Sequence, residues 1–311
     1  AQTIGGYFTN TGTVDGSTTG NDGITTTGTF ATSGDITTDA GNTFTIAAGA
    51  IDLQTGATFN GINDLDGSVV LDGAVQNAAD LDVTGNIALT GALTNQTTGV
   101  LDIAATLDMG SNAITNDGAA LNVDAGGSIT NGGALSNQNG GQLAIAAGGT
   151  ATVASATNTG AGSVMTFGGT LTTAGGLTNQ MGGQVIVNSG GDIDGTVTNT
   201  ADLDLNGGTI GSLDNNAGGD VDVTGGAVVD AGTANAGTLD VASGTFDVTD
   251  DSLINEVGGT LTVANGATID ATITNQNGGT ANIAGTVTGA VTNAAGGVLT
   301  ANGAAANISD I

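Results

Sequence analysis

The sequence predicts an all-β chain wound into a parallel β-solenoid, or β-helix, with coils of about 20 residues and two or three short strands per coil. Three observations predict it. An asparagine returns at a nearly constant interval, aliphatic residues spaced two apart flank it, and the composition joins strand-forming residues to abundant glycine without a single proline.

The asparagine recurs at Asn77, Asn95, Asn116, Asn137, Asn158, Asn179, Asn199, Asn215, Asn235, Asn255, Asn275 and Asn293. Most steps are 20 or 21 residues, and the shortest is 16. Two positions before it stand Val75, Leu93, Ile114, Leu135, Leu177, Val197, Leu213, Leu253, Ile273 and Val291. Six positions after it stand Val83, Leu101, Leu143, Val164, Val185, Leu205, Val221, Val241, Leu261 and Leu299, which we expect to form one inward column. A further aliphatic often follows two residues on, as at Ile103, Val187 and Val263, and a looser apolar site comes later, as at Ile129, Ile193 and Ile269. A spacing of two is the strand period with one face inward.

One such repeat cannot bury its apolar face alone, whereas stacked repeats form continuous aliphatic columns. Helical solenoids repeat every 33 residues or more (roughly, across known classes), and the leucine-rich L-x-x-L-x-L pattern is missing. Without proline every residue can donate a ladder hydrogen bond. The asparagine itself suits a left-handed turn, and its amide can stack on the coils above and below. This predicts a structural ladder through Asn95, Asn116, Asn137, Asn158, Asn179, Asn199, Asn255, Asn275 and Asn293. The glycan-acceptor pattern N-x-[ST] accounts for only two sites, at Asn95 and Asn307.

Residues 1–65 differ. They hold the only tyrosine, Tyr7, and the phenylalanines Phe8, Phe30, Phe44 and Phe59, while the asparagine marker gives way to threonine clusters. We expect an atypical N-terminal part of the solenoid there, serving as an assembly end, and regular solenoid repeats over 66–311. The chain opens Ala1-Gln2-Thr3, which reads as the end left by removal of a signal peptide and so predicts a secreted, extracellular or cell-surface protein.

The formal charge is −29, with no Lys, Arg, His or Cys. Phosphate neutralisation needs basic side chains, so nucleic acid is not an expected partner. Anionic lipid is repelled for the same reason, and no apolar run reaches spanning length, so no direct membrane insertion is expected. Trypsin has no site in the chain. The usual bases, activated nucleophiles and oxyanion-binding cations are missing, and the reading is of a protein that is not an enzyme.

Paired carboxylates remain. Asp64/Asp66, Asp80/Asp82, Asp192/Asp194, Asp202/Asp204 and Asp220/Asp222 each place two acids on one side of a strand. An Asp-dependent glycosidase would use such a pair, but the pattern recurs around the coil and is not joined by sugar-stacking aromatics. No cofactor is expected except a hard cation: Ca2+ on Asp80, Asp82, Asp202, Asp204, Asp220 and Asp222 fits the oxygen ligands, although the G-G-x-G-x-D calcium motif is absent. Thr-x-Thr pairs such as Thr260/Thr262 and Thr272/Thr274 fall at different phases relative to the asparagine and read as ordinary strand formers.

Stretches such as Ala290-Val291-Thr292-Asn293-Ala294-Ala295-Gly296-Gly297-Val298-Leu299 resemble the passenger repeats of autotransporter and filamentous-haemagglutinin-type surface adhesins. The resemblance covers about residues 66–311 and is one of repeat style and composition. It implies a right-handed parallel β-helix on a bacterial exterior.

The function these observations predict is a structural subunit of an extracellular filament that polymerises head to tail with itself. The alternative is a monomeric adhesin-like passenger domain that meets other cell-surface or matrix components. Open β-edges are usually blunted by Lys, Pro or a covering helix, and this chain has neither residue and no evident capping helix. We expect the assembly contact at Ala1, Gln2, Thr3, Ile4, Tyr7 and Phe8 on one side and Ile308 and Ile311 on the other, with Ala1–Asn10 adding a strand to a neighbour.

Overall fold

Alternating aliphatic and small polar residues make short strands, and Gly-rich turns redirect each strand by one corner of a coil. In the computed structural model the backbone and side chains of residues 74–302 are described, apart from residues 79, 80, 82, 84 and 251; outside that range the description extends only to the backbones of strands. No helix occurs among the described residues. The chain forms two units, Ala1–Ala156 and Thr157–Ile311. Each is a parallel β-solenoid in which a strand pairs with its counterpart one coil later.

In the first unit, Asp80–Val83, Val100–Ile103, Ala120–Val123 and Gln142–Ile145 stack in strict register, Leu81 on Leu101, Leu121 and Leu143 in turn. A second face stacks Ile87, Leu107 and Ile129. A third stacks Val75, Leu93, Ile114 and Leu135. Parallel pairing reaches back to Gln2–Ile4, which lies beside Ile24–Thr26. The expected division at residue 65 falls where side chains lie outside the described residues.

The second unit repeats the plan. Its first face runs through Val164–Phe167, Gln184–Asn188, Asp202–Asn206, Asp220–Val223, Thr238–Val241, Thr260–Val263, Thr280–Ile283 and Val298–Ala301. Met165, Val185, Leu203, Val221, Leu239 and Leu261 form one buried column, and Phe167, Val187, Leu205, Val223, Val241 and Val263 form the next. Burying each such side chain stabilises the fold by about 1.5–3 kcal/mol, so the columns supply the main driving force.

The columns correct the expected spacing. Val83, Leu205 and Val241 stand six residues after an asparagine, yet they belong to the second column. Val164 faces outward while Met165 is buried, and Leu299 is only half-buried. The reason is turn length. Asn77 is followed by the first-column residue four positions on, at Leu81, and Asn199 and Asn235 likewise by Leu203 and Leu239, whereas Asn158 reaches Met165 only after seven. A fixed count from the marker therefore mixes the two columns; a strand shifted by two residues still points the same way, and one shifted by one residue does not.

Candidate functional site

Three features could carry function: the buried asparagine ladder, the carboxylate rows on the first face, and the turns that follow the ladder.

Each ladder asparagine closes a strand of the third face, and its side chain turns inward beneath the next corner. Asn77, Asn95, Asn116, Asn137, Asn158, Asn179, Asn199, Asn235, Asn255 and Asn275 are fully buried, and Asn215 is almost so. In the first unit Asn77 Nδ2 donates to Asn95 Oδ1 at 2.8 Å, Asn95 to Asn116 at 2.9 Å, and Asn116 to Asn137 at 2.8 Å. In the second unit the chain of bonds runs Asn158, Asn179, Asn199, Asn215, Asn235, Asn255, Asn275 and Asn293, each Nδ2 donating to the next Oδ1 at 2.7–3.0 Å. The same nitrogen spends its other hydrogen on a carbonyl of the following coil, as Asn235 does on Thr260 O at 3.0 Å. Both amide donors are thus satisfied in a buried site.

A glycine four residues after the asparagine makes room for this. At Gly141, Gly183, Gly259, Gly279 and Gly297 a Cβ would stand 2.5–2.8 Å from the Oδ1 of the asparagine in its own turn. The preceding glycine, at 140, 182, 258, 278 and 296, has φ between 79° and 90°, a left-handed value that glycine adopts without strain. This Asn-x-x-Gly-Gly spacing is written in the sequence and was legible as the partner of the asparagine, but the marker alone does not single it out.

The paired carboxylates face outward. Asp202 lies opposite Asp220, Asp204 opposite Asp222, and Asp222 opposite Asp240. Burial raises the Asp202 pKa above the usual carboxylate value, and Asp204, Asp220 and Asp222 raise it further. Asp222 is pushed up by burial and then by Asp220, Asp204 and Asp240. Asp192 is raised by burial and then by Asp194 and Asp230. Gln184 relieves one neighbour, donating to Asp204 Oδ2 at 2.8 Å. Asp80 and Asp82 are placed only by register, opposite Val100 and Asp102, and their side chains lie outside the described residues. Among the described residues no three acidic side chains come close enough to hold one metal ion. The acids form rows along the stack and do not converge on a point.

Met181 is 75 % exposed, Val257 68 % and Val298 54 %, the large exposed hydrophobics among the described residues. Met181 and Val257 stand in the turns after the ladder, two residues past their asparagines, whereas Val298 opens the first-face strand Val298–Ala301, opposite Thr280. Short turns alternate with long ones after the ladder: Thr200-Ala201 and Ala236-Gly237 are flush, whereas Met181-Gly182, Ala217-Gly218 and Val257-Gly258 protrude. Between the last two projections a groove of about 450 Å³ opens over Ala236 and Gly237, with Asp220, Thr238 and Thr260 on its floor and sides.

Of the expected assembly residues, Gln2, Thr3, Ile4 and Phe8 are placed in strands paired one coil on, Phe8 opposite Phe30, and Ile308 is opposite Val287. Their side chains, and Ala1, Tyr7 and Ile311 altogether, lie outside the described residues. The Thr-x-Thr pairs are distributed over three faces, Thr260/Thr262 on the first, Thr286/Thr288 on the second and Thr272/Thr274 on the third.

No protein-family model matches the chain, and no curated protein matches it. Among solved structures, the crystal structure of a TibC-catalyzed hyper-glycosylated TibA55-350 fragment is similar, with 19 % sequence identity and a TM-score of 0.44, over 98 % of this chain and 100 % of that one.

Proposed function

We propose that this chain is a structural, non-catalytic building block of an extracellular bacterial filament, which grows by head-to-tail stacking of solenoid ends. The observation that carries this reading is the one-way ladder. In both units every amide bond between ladder asparagines points from the lower-numbered coil to the higher. The ladder gives each stack a direction, although it does not run to the first coils, where Leu53 and not an asparagine lies opposite Asn77. Two like ends of a directional stack cannot continue it, whereas two unlike ends can, and heterologous contacts that do not close produce filaments. Parallel strand edges add the same polarity, since the first-face strands are in register and their edge groups remain hydrogen-bond competent.

The absence of Lys and Cys from the chain supports durability by ladders and packing, because neither isopeptide bonds through lysine nor disulfides are chemically available. The test is elongation of purified protein, followed by light scattering and negative-stain microscopy with and without calcium. Long uniform fibres are expected from the intact chain, and folded rods that do not elongate from a chain lacking Ala1–Asn10. Isolated short rods at every concentration of intact protein would overturn the filament reading in favour of the monomeric adhesin.

A further inference from the structure

We infer that the turn at Asn265-Gly266 is a site of self-modification. There the asparagine loses ammonia through a cyclic imide and becomes an α- or β-linked aspartate while the solenoid stays folded.

The reaction needs the backbone nitrogen of the next residue to reach the asparagine side-chain carbon. A following glycine leaves that path open, and asparagine is thermolabile in such places. Among the described residues Asn-Gly occurs at Asn131, Asn139, Asn206, Asn265 and Asn277. Neighbouring coils hold four of these pairs. Asn131 Nδ2 donates to Asp108 Oδ1 at 3.0 Å, Asn139 Nδ2 donates to Asp117 Oδ1, and Asn206 Oδ1 accepts from Thr224 Oγ1 at 2.6 Å. At Asn277 the backbone is held instead. The Gly278 N–H donates to Gly296 O at 3.1 Å, and Gly278 O accepts from Gly258 N at 3.2 Å.

Asn265 and Gly266 are both exposed. Among the described residues no hydrogen bond engages the Asn265 carboxamide, the Asn265 carbonyl or the Gly266 N–H. Ala267 N donates to Ala264 O at 3.0 Å and closes the turn around them. A Cβ at Gly266 would meet nothing within 4 Å, so the middle peptide has room to rotate and carry its nitrogen onto Asn265 Cγ.

Turn length explains the difference. Asn277 lies in a turn between two of equal length, at 256–259 and 294–297, so backbone groups of the three turns meet. The turn Ala264-Asn265-Gly266-Ala267 is longer than both of its neighbours. The preceding coil crosses this corner with Ala242-Ser243-Gly244 and the following coil with Ala284-Gly285 alone. The flanking strands stay in register, Val263 between Val241 and Ile283, and Thr268 between Thr245 and Thr286. The excess residues therefore overhang, with no counterpart above or below.

In the reaction hydroxide removes the Gly266 amide proton, and the nitrogen bonds to Asn265 Cγ. The Cγ–Nδ2 bond breaks, and ammonia leaves after taking a proton from water, which regenerates hydroxide. Water then opens the imide at either carbonyl, giving aspartate or its β-linked isomer at position 265. One water is consumed, one ammonia is released, and nothing is oxidised. A negative charge is added to a chain already at −29.

The test ages the intact folded chain at mildly alkaline pH and then cuts it with an Asp-directed protease. Cuts before Asp251 and Asp270 put Asn265 and Asn277 on different fragments. Tandem mass spectrometry should find amide-to-acid conversion at Asn265 about fivefold faster than at Asn277, the population cost of first breaking one hydrogen bond. Aged in denaturant, the two sites should convert at similar rates. Asn265→Gln should remove the fast conversion and leave the thermal melt unchanged. Equal rates in the folded chain, a ratio that persists in denaturant, or fast conversion surviving Asn265→Gln would each overturn the proposal. None of these readouts depends on whether chains stack end to end.

Discussion

In the ladder from Asn158 to Asn293 and in the rows Asp202–Asp220 and Asp204–Asp222–Asp240, polar side chains of one kind lie one coil apart on the same scaffold. Their consequences are opposite. A carboxamide both donates and accepts, so a neighbour about 4.8 Å away completes it, and the whole column can be buried. A carboxylate only accepts, so an identical neighbour repels it, and the row must stay in contact with water. A solenoid multiplies whatever it repeats. Self-complementary groups gain from stacking and like charges lose by it, which is why the asparagines point in and the aspartates point out.

The largest effect should come from exchanging the two characters. Asn235→Asp would put an acceptor-only, charged group where Asn235 now donates to Asn255 Oδ1 and Thr260 O and accepts from Asn215. At neutral pH the loss in unfolding free energy should exceed about 4 kcal/mol, the range reserved for unpaired buried charge. Asn235→Ala should cost less, about 2–4 kcal/mol, because it leaves a donor and an acceptor unmet but no charge. Chemical denaturation of both variants at pH 7 checks the order. An Asp variant no worse than the Ala variant would show that the ladder position is wetter than its burial implies.

A step smaller is the glycine that shelters the ladder. A Cβ at Gly219 would press on Asn215 Oδ1 and lie 2.7 Å from Asn199 O, whereas at Gly218 it would meet nothing within 4 Å. Gly218 has φ near 90°, so alanine there is strained but not obstructed. We expect Gly219→Ala to destabilise by about 2–3 kcal/mol, through a displaced amide in a packed site, and Gly218→Ala by about 1–2 kcal/mol. Thermal melts of the two single variants separate backbone strain from loss of the ladder; the reverse order would mean the turn, not the amide, sets the corner.

How far this could be read in advance depends on what the period records. The marker asparagine is legible because the amide must meet its own copy in the next coil, which fixes its side-chain position whatever the loop length. Val75, Leu93 and Ile114 are equally legible, since no turn intervenes between them and the asparagine. The first-face column is not, because Asn77 and Asn158 differ by three residues in the turn that precedes it, and counting onward places Val83 and Val164 wrongly. The outward direction of the Asp pairs follows from the alternation alone. Their relation to one another, Asp202 opposite Asp220 and Asp222 opposite Asp240, needs the register, which turn lengths disguise. The recess at Ala236-Gly237 is legible only as a missing pair of residues between two longer neighbours.

The third effect separates a polar stack that works from a polar group that has no stack. Thr233 takes the place of the aliphatic in the column of Leu213 and Leu253. It is 2 % exposed, and its hydroxyl has no hydrogen-bond partner. Valine has nearly the same shape without the hydroxyl, so Thr233→Val should raise unfolding free energy by about 1 kcal/mol, read from the denaturation midpoint at constant slope. Thr→Val at an outward site such as Thr262 should do nothing comparable. A neutral or destabilising Thr233→Val would mean that the hydroxyl finds a partner in solution.

The smallest effect belongs to the carboxylate row, and its sign is set by pH. Asp192, Asp202 and Asp222 have folded-state pKa values raised above the ordinary 3.8, by burial first and then by neighbouring carboxylates. Between the unfolded and folded values the folded chain binds more protons than the unfolded one, so stability falls as pH rises through that window and is greatest below it. Asp222→Asn should therefore stabilise the chain at pH 7, by about 0.2–1 kcal/mol, the range for relieving a like-charge pair across strands. The first unit already contains the arrangement this would create: Asn122 sits opposite Asp102 and donates to its Oδ1 at 2.7 Å. The inverse substitution, Asn122→Asp, should thus cost about as much as Asp222→Asn returns, again within the cross-strand range. The gain from Asp222→Asn should vanish as the pH drops below 3.8, where that carboxylate is protonated in either state. Differences that persist unchanged in acid would assign them to packing, and an Asp222→Asn variant no more stable at neutral pH would mean that cations from solution already neutralise the row.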